Sequence, residues 1–379
     1  MAYRRTKKRS PVRRSRRPSY ARPRRTVRRV ARPKSKVQRQ CSVADLSPAG
    51  KFALAQLDPF ETKCLGAKIP DSNSIPSISN QDTDIIPMPV GAGLECTAFR
   101  PSYTWGYISA VGAASSVSWG ASYTTLAQNR QKRTNYLAVA ELTRAVAHGV
   151  RISSPLAPTI ATGFVHVGLA TESMYNAATW QFPTTVGEMA NLAYYRRVTL
   201  ASLTQTPLTV INKWIDDTAF RYVDAGWTAG NATAQEIQTD GGWAAILVMV
   251  EGGNNSAATL SVEHTLMSEF IPKKDAVIIG TAAAANQPGV LSATTQMIQE
   301  QDFVHTEAEQ GTYINSGVQA FAQGAAQAGT AVYENVAVPL MNRMGQYVGN
   351  TVANGVLNML AGRGGLPGVN ANPNRLLMY

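Results

Sequence analysis

The chain has 379 residues, 44% of them apolar, with 36 Lys and Arg against 24 Asp and Glu for a net charge of +12. The first 40 residues hold 18 basic residues and no acidic one, so the other 339 carry 18 basic against 24 acidic, a net of −6. No run of 18 apolar residues exists and the N-terminus lacks an apolar h-region, so neither a membrane span nor export by a signal peptide is expected. Cys41, Cys64 and Cys96 are too few and too widely spaced for a disulfide scaffold or a zinc cluster, and they read as reduced intracellular thiols or as near-neutral filler.

The basic residues of segment 1–40 are Arg4, Arg5, Lys7, Lys8, Arg9, Arg13, Arg14, Arg16, Arg17, Arg22, Arg24, Arg25, Arg28, Arg29, Arg32, Lys34, Lys36 and Arg39. Pro11, Pro18, Pro23 and Pro33 interrupt any helix, and the sparse Val, Ala and Tyr cannot repay the entropy of ordering, so a disordered arm is predicted. Like charges in such a block repel unless a polyanion neutralises them, and guanidinium groups fork onto phosphate oxygens. Nucleic acid is therefore the expected partner. The cluster Lys7, Lys8 and Arg9 also has the form of a nuclear address, while the four prolines argue against an amphipathic transit peptide.

Segment 41–100 is polar and rich in Pro and Ser. Ile69-Pro70, Ile75-Pro76 and Ile86-Pro87 push the chain toward extended geometry, so it reads as an extended linker arm with room for a short helix around Ala49 to Leu57. Segment 101–275 changes to short β-type runs between Gly, Pro, Asn and Asp. The predicted strands are Tyr103 to Val111, Val117 to Ser122, Ala145 to Ser153, Gly163 to Ala170, Tyr195 to Leu203, Leu208 to Ile215, Trp243 to Glu251 and Thr259 to Phe270. Val165, Val167 and Leu169 alternate, as do Leu260, Val262, His264 and Leu266, which marks half-buried strands. Ala245 to Val250 is apolar throughout and suits an interior strand. One helix is predicted over Gln128 to Leu142.

Eight strands with few helices predict a mainly β fold, an eight-stranded antiparallel jelly-roll sandwich. Loops 171–191 and 216–242 are long enough to project from it. Segment 276–379 is an Ala/Gly/Gln-rich tail that regains helical spacing over about 339–361, where Met341, Met344, Val348, Val352 and Val356 form one stripe. With only Arg343 and Arg363 at its ends, that stripe reads as a packing helix rather than a membrane-seeking one.

Catalytic chemistry finds little foothold. There is no HExxH, no G-x-S-x-G, no P-loop and no G-x-G-x-x-G, and His148, His166 and His264 sit among apolar neighbours as packed strand residues. The chain is expected not to be an enzyme. Asp216 and Asp217, at the mouth of a long loop, could supply oxygen ligands to calcium with a second subunit completing the shell, or form a solvated turn. Lys273 and Lys274 suit interior phosphate contacts or plain solvent-facing charge.

The order of parts resembles the capsid proteins of small icosahedral viruses, and within them the single jelly-roll capsids of nodavirus and bacilladnavirus type. The resemblance rests on the arm Arg4 to Arg39, the strand Gly242-Trp-Ala-Ala-Ile-Leu-Val-Met-Val250 and the run Ser261-Val-Glu-His-Thr-Leu-Met-Ser-Glu-Phe-Ile-Pro272. It implies self-assembly of many copies into an icosahedral shell found in the virion, and in the host nucleus or cytoplasm during assembly. It further implies packaging of a single-stranded DNA or RNA genome by the arm, without stable membrane insertion. With T=3 geometry, about 180 arms would turn about 3,200 positive charges toward the genome. Capsids of nodavirus type cut themselves at an Asn–Ala bond, and Asn370-Ala371 is such a pair, although cutting there would leave the predicted helix attached. The alternative reading is a cellular, sequence-independent nucleic-acid-binding protein with a β-sandwich body, stacking bases on Trp105, Tyr107, Trp119 and Tyr123. A lectin-like enzyme is a third.

Overall fold

Leu46, Ser47 and Pro48 write a helix start into the sequence: the Ser47 hydroxyl accepts from the Gly50 amide at 3.1 Å, and Pro48 occupies the first turn, where its missing N–H costs nothing. The helix they open, α1 (Pro48–Leu57), buries nearly its whole length. The computed structural model to which it belongs describes residues 46–90, 93–101, 107–112, 115–119, 130–170, 175–176, 179–180, 182–224, 242–253 and 256–342. The arm 1–40, most of the loop 216–242 and the tail from 343 onward, including Asn370-Ala371, lie outside these residues.

After α1 come β1 (Ile78–Val90), β2 (Glu95–Phe99), β3 (Tyr107–Val111), α2 (Arg130–Val139), β4 (Ala140–Ser153), β5 (Phe164–Ala170), α3 (Val186–Ala190) and β6 (Ala193–Thr199). They are followed by β7 (Leu208–Ile211), β8 (Ala245–Glu251), β9 (Ser256–Pro272), α4 (Pro288–Glu300), β10 (Val304–Thr306) and α5 (Gln310–Ala328). One sheet runs β1-β9-β4-β7-β10 and the other β3-β2-β8-β5-β6. With β3 and β10 set aside, the antiparallel pairing is nested: β1 with β9, β2 with β8, β4 with β7, β5 with β6. That nesting is a long hairpin wrapped into two packed sheets, the jelly roll.

Alternation builds the core between the sheets. Val150 and Ile152 of β4, Val165, Val167 and Leu169 of β5 and Val262 of β9 point inward together with Ile246, Val248 and Val250 of β8. The intervening Leu247 and Met249 of β8 pack on the opposite face beside Met189 and Leu192, which explains why this strand is apolar from Ala245 to Val250. The outer face of the first sheet is covered by helices: Val146, Ala147, Ile211 and Met267 meet Phe52 and Leu54 of α1, Met297 of α4 and Phe321 of α5. The register of β4 against β9 skips Val146, and the carbonyl so freed accepts from the Gln56 amide at 2.5 Å, a bond that seats α1 on the bulge.

Several expectations need correction. Segment 41–100 is not an extended linker: it contributes α1, β1 and β2, and β1 pairs with β9 from Ile78↔Phe270 to Met88↔Leu260. Its polar alternation and Pro87 disguised it, yet β1 is an edge strand, where a missing N–H costs no ladder bond on the free side. The expected strand 117–122 is present only as Val117 bridged to Gly112, and its later residues lie outside the described set. The helix expected over 128–142 ends at Val139, because from Ala140 the chain is taken up by β9. β6 stops at Thr199, whose hydroxyl caps a helical turn, Leu200–Leu203, that buries Leu200 and Leu203. Within the expected loop 171–191, Tyr175–Asn176 pairs with Thr179–Trp180 and α3 closes the segment.

The tail holds more helix than its composition suggested. α4 and α5 lie against each other, and a Cβ on Gly324 would stand 2.7 Å from the Ala293 Cα, so the small residues that lowered helix propensity are what allow the close crossing. Helical structure continues over 330–342, with a π turn at Tyr333–Ala337. The helix expected at about 339–361 is described only to residue 342.

Candidate functional site

Three groups of side chains stand out, and each joins chain segments that are far apart in sequence. The first pins the former linker to the sheet. Arg144 on β4 has its side chain almost wholly buried, with Nη2 at 2.7 Å and Nε at 3.0 Å from Glu269 Oε2 on β9. Its Nη1 donates to Asp71 and, at 3.0 Å, to the Phe220 carbonyl, while the guanidinium lies 4.3 Å over the Tyr222 ring. Glu269 also accepts from the Ser77 hydroxyl at 2.5 Å and the Ile69 amide at 3.3 Å. Beside it, the Lys68 ammonium donates to Ser77 O at 2.7 Å, Thr281 O and Oγ1 at 3.0 Å each and Ala282 O at 2.8 Å. Buried charges survive only when satisfied in this way.

The second group lies on the outer face of the second sheet. Tyr195 on β6 has its hydroxyl 2.7 Å from His166 Nδ1 on β5, and His166 Nε2 is 3.2 Å from Glu251 Oε2 at the end of β8. The order hydroxyl, imidazole, carboxylate is that of an activated nucleophile. Burial pushes the Tyr195 hydroxyl upward and His166 downward, and the hydrogen-bonded relay ties β6, β5 and β8 together. Close by, Arg196 meets Glu309 in a fork, Nη1 to Oε2 at 2.8 Å and Nη2 to Oε1 at 3.0 Å, which ties β6 to the start of α5. That fork draws the Glu309 carboxyl down to about 2.

The third group sits between the two sheets. His148 of β4 and His264 of β9 face each other Nε2 to Nε2 at 2.9 Å, and Asn212 Nδ2 lies 3.0 Å from His148 Nδ1 and 2.8 Å from the Ala244 carbonyl. Lys213, the next residue, turns away and caps the end of α4, donating to Ile298 O at 2.7 Å and to Gln301 O. Burial lowers it to about 8.

The basic arm, Arg4 to Arg39, lies outside the described residues. Asp216 serves as a cap: its Oδ1 accepts from the Thr218 amide at 2.8 Å and the Thr218 hydroxyl at 2.5 Å. Among the described residues, no three His, Cys, Asp or Glu gather as a metal site, and Asp216 and Asp217 have no such companion among them. Lys273 donates to the Leu137 carbonyl at 2.7 Å, closing α2 onto β9, while Lys274 is exposed. Trp119 pairs at a steep angle with Phe182, packs half-buried against the core, and donates its indole N–H to Pro183 O at 3.1 Å. The side chains of Trp105, Tyr107 and Tyr123 lie outside the described set.

Reading along the chain found His148, His166 and His264 but not their partners. The signal available was their place in the β-alternation with no neighbouring hydrogen-bond partner of their own, which forces a partner from another strand.

One surface feature opposes the general burial of apolar groups. Val277 is 99% exposed and Ile279 89%, with Ile278 and Ile75 also exposed, and the segment is uncharged from Ala276 to Gln287. Its root is held firmly, since Ser77 and Thr281 exchange both backbone hydrogen bonds at 3.0 Å and Lys68 clamps both carbonyls.

No protein-family model and no curated protein sequence matches the chain. Among solved structures, that of tobacco necrosis virus aligns at 14% identity and a TM-score of 0.33, over 53% of this chain and 98% of that one. Infectious bursal disease virus, Gx strain, aligns at 12% identity and 0.44, over 69% and 98%. Cocksfoot mottle virus aligns at 11% identity and 0.31, over 51% and 94%. The jelly-roll assignment stands on the nested strand order of this chain.

Proposed function

We propose that this chain is the shell-forming subunit of an icosahedral virus capsid, and that its first 40 residues gather the genome inside. The observation that carries the reading is the segregation of charge: 18 cations and no anion precede a jelly-roll body that is itself net acidic. A flexible polycation binds phosphates through counterion release, strongly, with steep salt dependence and without reading bases. Forty extended residues span at most about 140 Å, enough to reach into a particle cavity. The acid-leaning body repels nucleic acid from the outer wall. The exposed strap Val277 to Ile279 supports the same reading, because a firmly rooted apolar segment in water is a contact surface in waiting, and a second copy of the chain is the cover a shell supplies.

The test compares the full chain with residues 41–379 by electron microscopy and by nuclease-protected nucleic acid content. Full-length protein should give closed particles of uniform diameter with protected nucleic acid, and the truncated chain should give shells nearly devoid of it. Truncated particles that protect as much nucleic acid would overturn the role of the arm. A full chain that stays monomeric at high concentration while binding short oligonucleotides would overturn the capsid reading. Typing the protected material with DNase and RNase assigns the genome.

A further inference from the structure

We propose that His148, His264 and Asn212 form an acid-release latch between the two sheets, a hydrogen-bond chain with no acceptor for an additional proton. The inference does not depend on the capsid reading.

The direction of every bond follows from the geometry. Asn212 Nδ2 faces the Ala244 carbonyl, so it is the amide nitrogen, and Oδ1 accepts from the Lys213 N–H at 2.8 Å. The second Nδ2 hydrogen then points to His148 Nδ1, which must accept it. His148 therefore carries its proton on Nε2 and donates it to His264 Nε2. His264 is left with its proton on Nδ1, for the Arg100 main chain to which it is hydrogen-bonded. Each N–H finds one acceptor.

Both ends of this chain cross between layers. His148, His264 and Asn212 belong to the first sheet or leave it directly, whereas Arg100 follows β2 and Ala244 precedes β8 in the second. The backbone reinforces the same corner: Asn212 N–H donates to His148 O at 2.8 Å, Ala244 N–H to Lys213 O at 3.0 Å, and Ile215 N–H to Gly242 O at 2.5 Å. The Phe99 ring stacks on His264 at 5.9 Å and seals the site from the core side.

A proton added to His148 lands on Nδ1, opposite the Asn212 NH₂. One added to His264 lands on Nε2, opposite the His148 N–H. Either leaves two donors face to face and a buried positive charge, and the chain cannot simply reverse, because Asn212 would then turn its oxygen toward the Ala244 carbonyl. The charged groups around it do not relieve this. Asp84 of β1, half-buried, is paired across the strand with His264 and favours its cation, whereas the His264 ring opposes a cation on His148. Burial dominates: His148 is held well below the ordinary imidazole value and His264 is pushed down to about 4. Two imidazoles fall short of the three protein ligands a metal would take.

Below pH 6.5 an opened corner takes up protons that the closed one refuses, so acid favours opening. Hydrogen exchange by mass spectrometry on the full chain, corrected for intrinsic rates, reads this directly. From pH 7 to pH 5, protection of the Asn212, Ile215 and Ala244 amides should fall by about tenfold or more, while α4 and α5 hold theirs. In the double variant His148→Gln, His264→Gln the same amides should show equal protection at both pH values, and His305→Gln should behave as the parent does. Should the double variant fail to fold, the parent profile decides. Unchanged protection at this corner down to pH 5, or a loss spread evenly over both sheets and the helices, overturns the latch.

Discussion

Glu269 shows how much one buried side chain can be asked to hold. It receives Arg144, Ser77 and the Ile69 amide, and through them it fixes segments that lie 125 to 200 positions earlier in the chain. Glu269→Ala should lower stability by about 3–5 kcal/mol, because the Arg144 guanidinium would be left buried without its main partner. Equilibrium urea unfolding of the variant checks this, and Glu269→Gln, which keeps the acceptor, should recover part of the loss. Protonation acts through the same physics. Burial pushes His264 and His305 each to about 4 and holds His148 well below its usual range, so all three folded values lie beneath the unfolded one near 6.5. The unfolded chain binds more protons in that interval, and stability must fall as pH drops from about 6.5 toward 4, by at most about 1.4 kcal/mol per pH unit for each ring. Thermal midpoints measured across that range test the sign.

Elements form where local pattern and long-range pairing agree, and the discrepancies mark where one overrides the other. β8 was legible because Ala245 to Val250 is an unbroken apolar run and both faces are covered. β1 was not, since Asn80, Gln81, Asp82 and Asp84 look like solvent-loving linker until β9 is placed alongside. The expected count of eight strands agrees with the jelly roll, yet β1 and β2 were not among those expected, while 103–111 supplies the additional strand β3 and 117–122 only a bridge. In the tail, glycine and alanine read as weak helix formers, but α4 and α5 use them as contact surface. Gly324→Ala should therefore destabilise by about 1–3 kcal/mol despite the gain in helix propensity, because the added methyl meets the Ala293 backbone. Thermal unfolding of the variant gives the sign.

For the molecule as a unit, the closed core and the proposed contact surface are written on different residues. The core between the sheets and the helical layer outside the first sheet are closed, whereas Val277 and Ile279 remain in water. Val277→Asp with Ile279→Asp should leave the thermal midpoint of the isolated subunit within a few degrees of the parent, since neither side chain buries surface in its own chain. The same pair should raise the concentration needed for particle formation at least tenfold, by sedimentation velocity. Particles that assemble as readily as the parent would place the subunit contact elsewhere.

Composition and order along the chain were enough to separate a polycationic arm from a β-rich acidic body, because charge density, proline placement and two-residue alternation are local properties that survive without a fold. The same information pointed to the histidines as strand residues. Pairing across the fold is another matter: Ile69 with Glu269, His148 with His264, Gly324 with Ala293 and β1 with β9 join positions whose proximity exists only once the chain has closed on itself. Buried polar groups must find partners wherever closure puts them, and that requirement, satisfied by residues far apart in sequence, set the clamp, the relay and the latch.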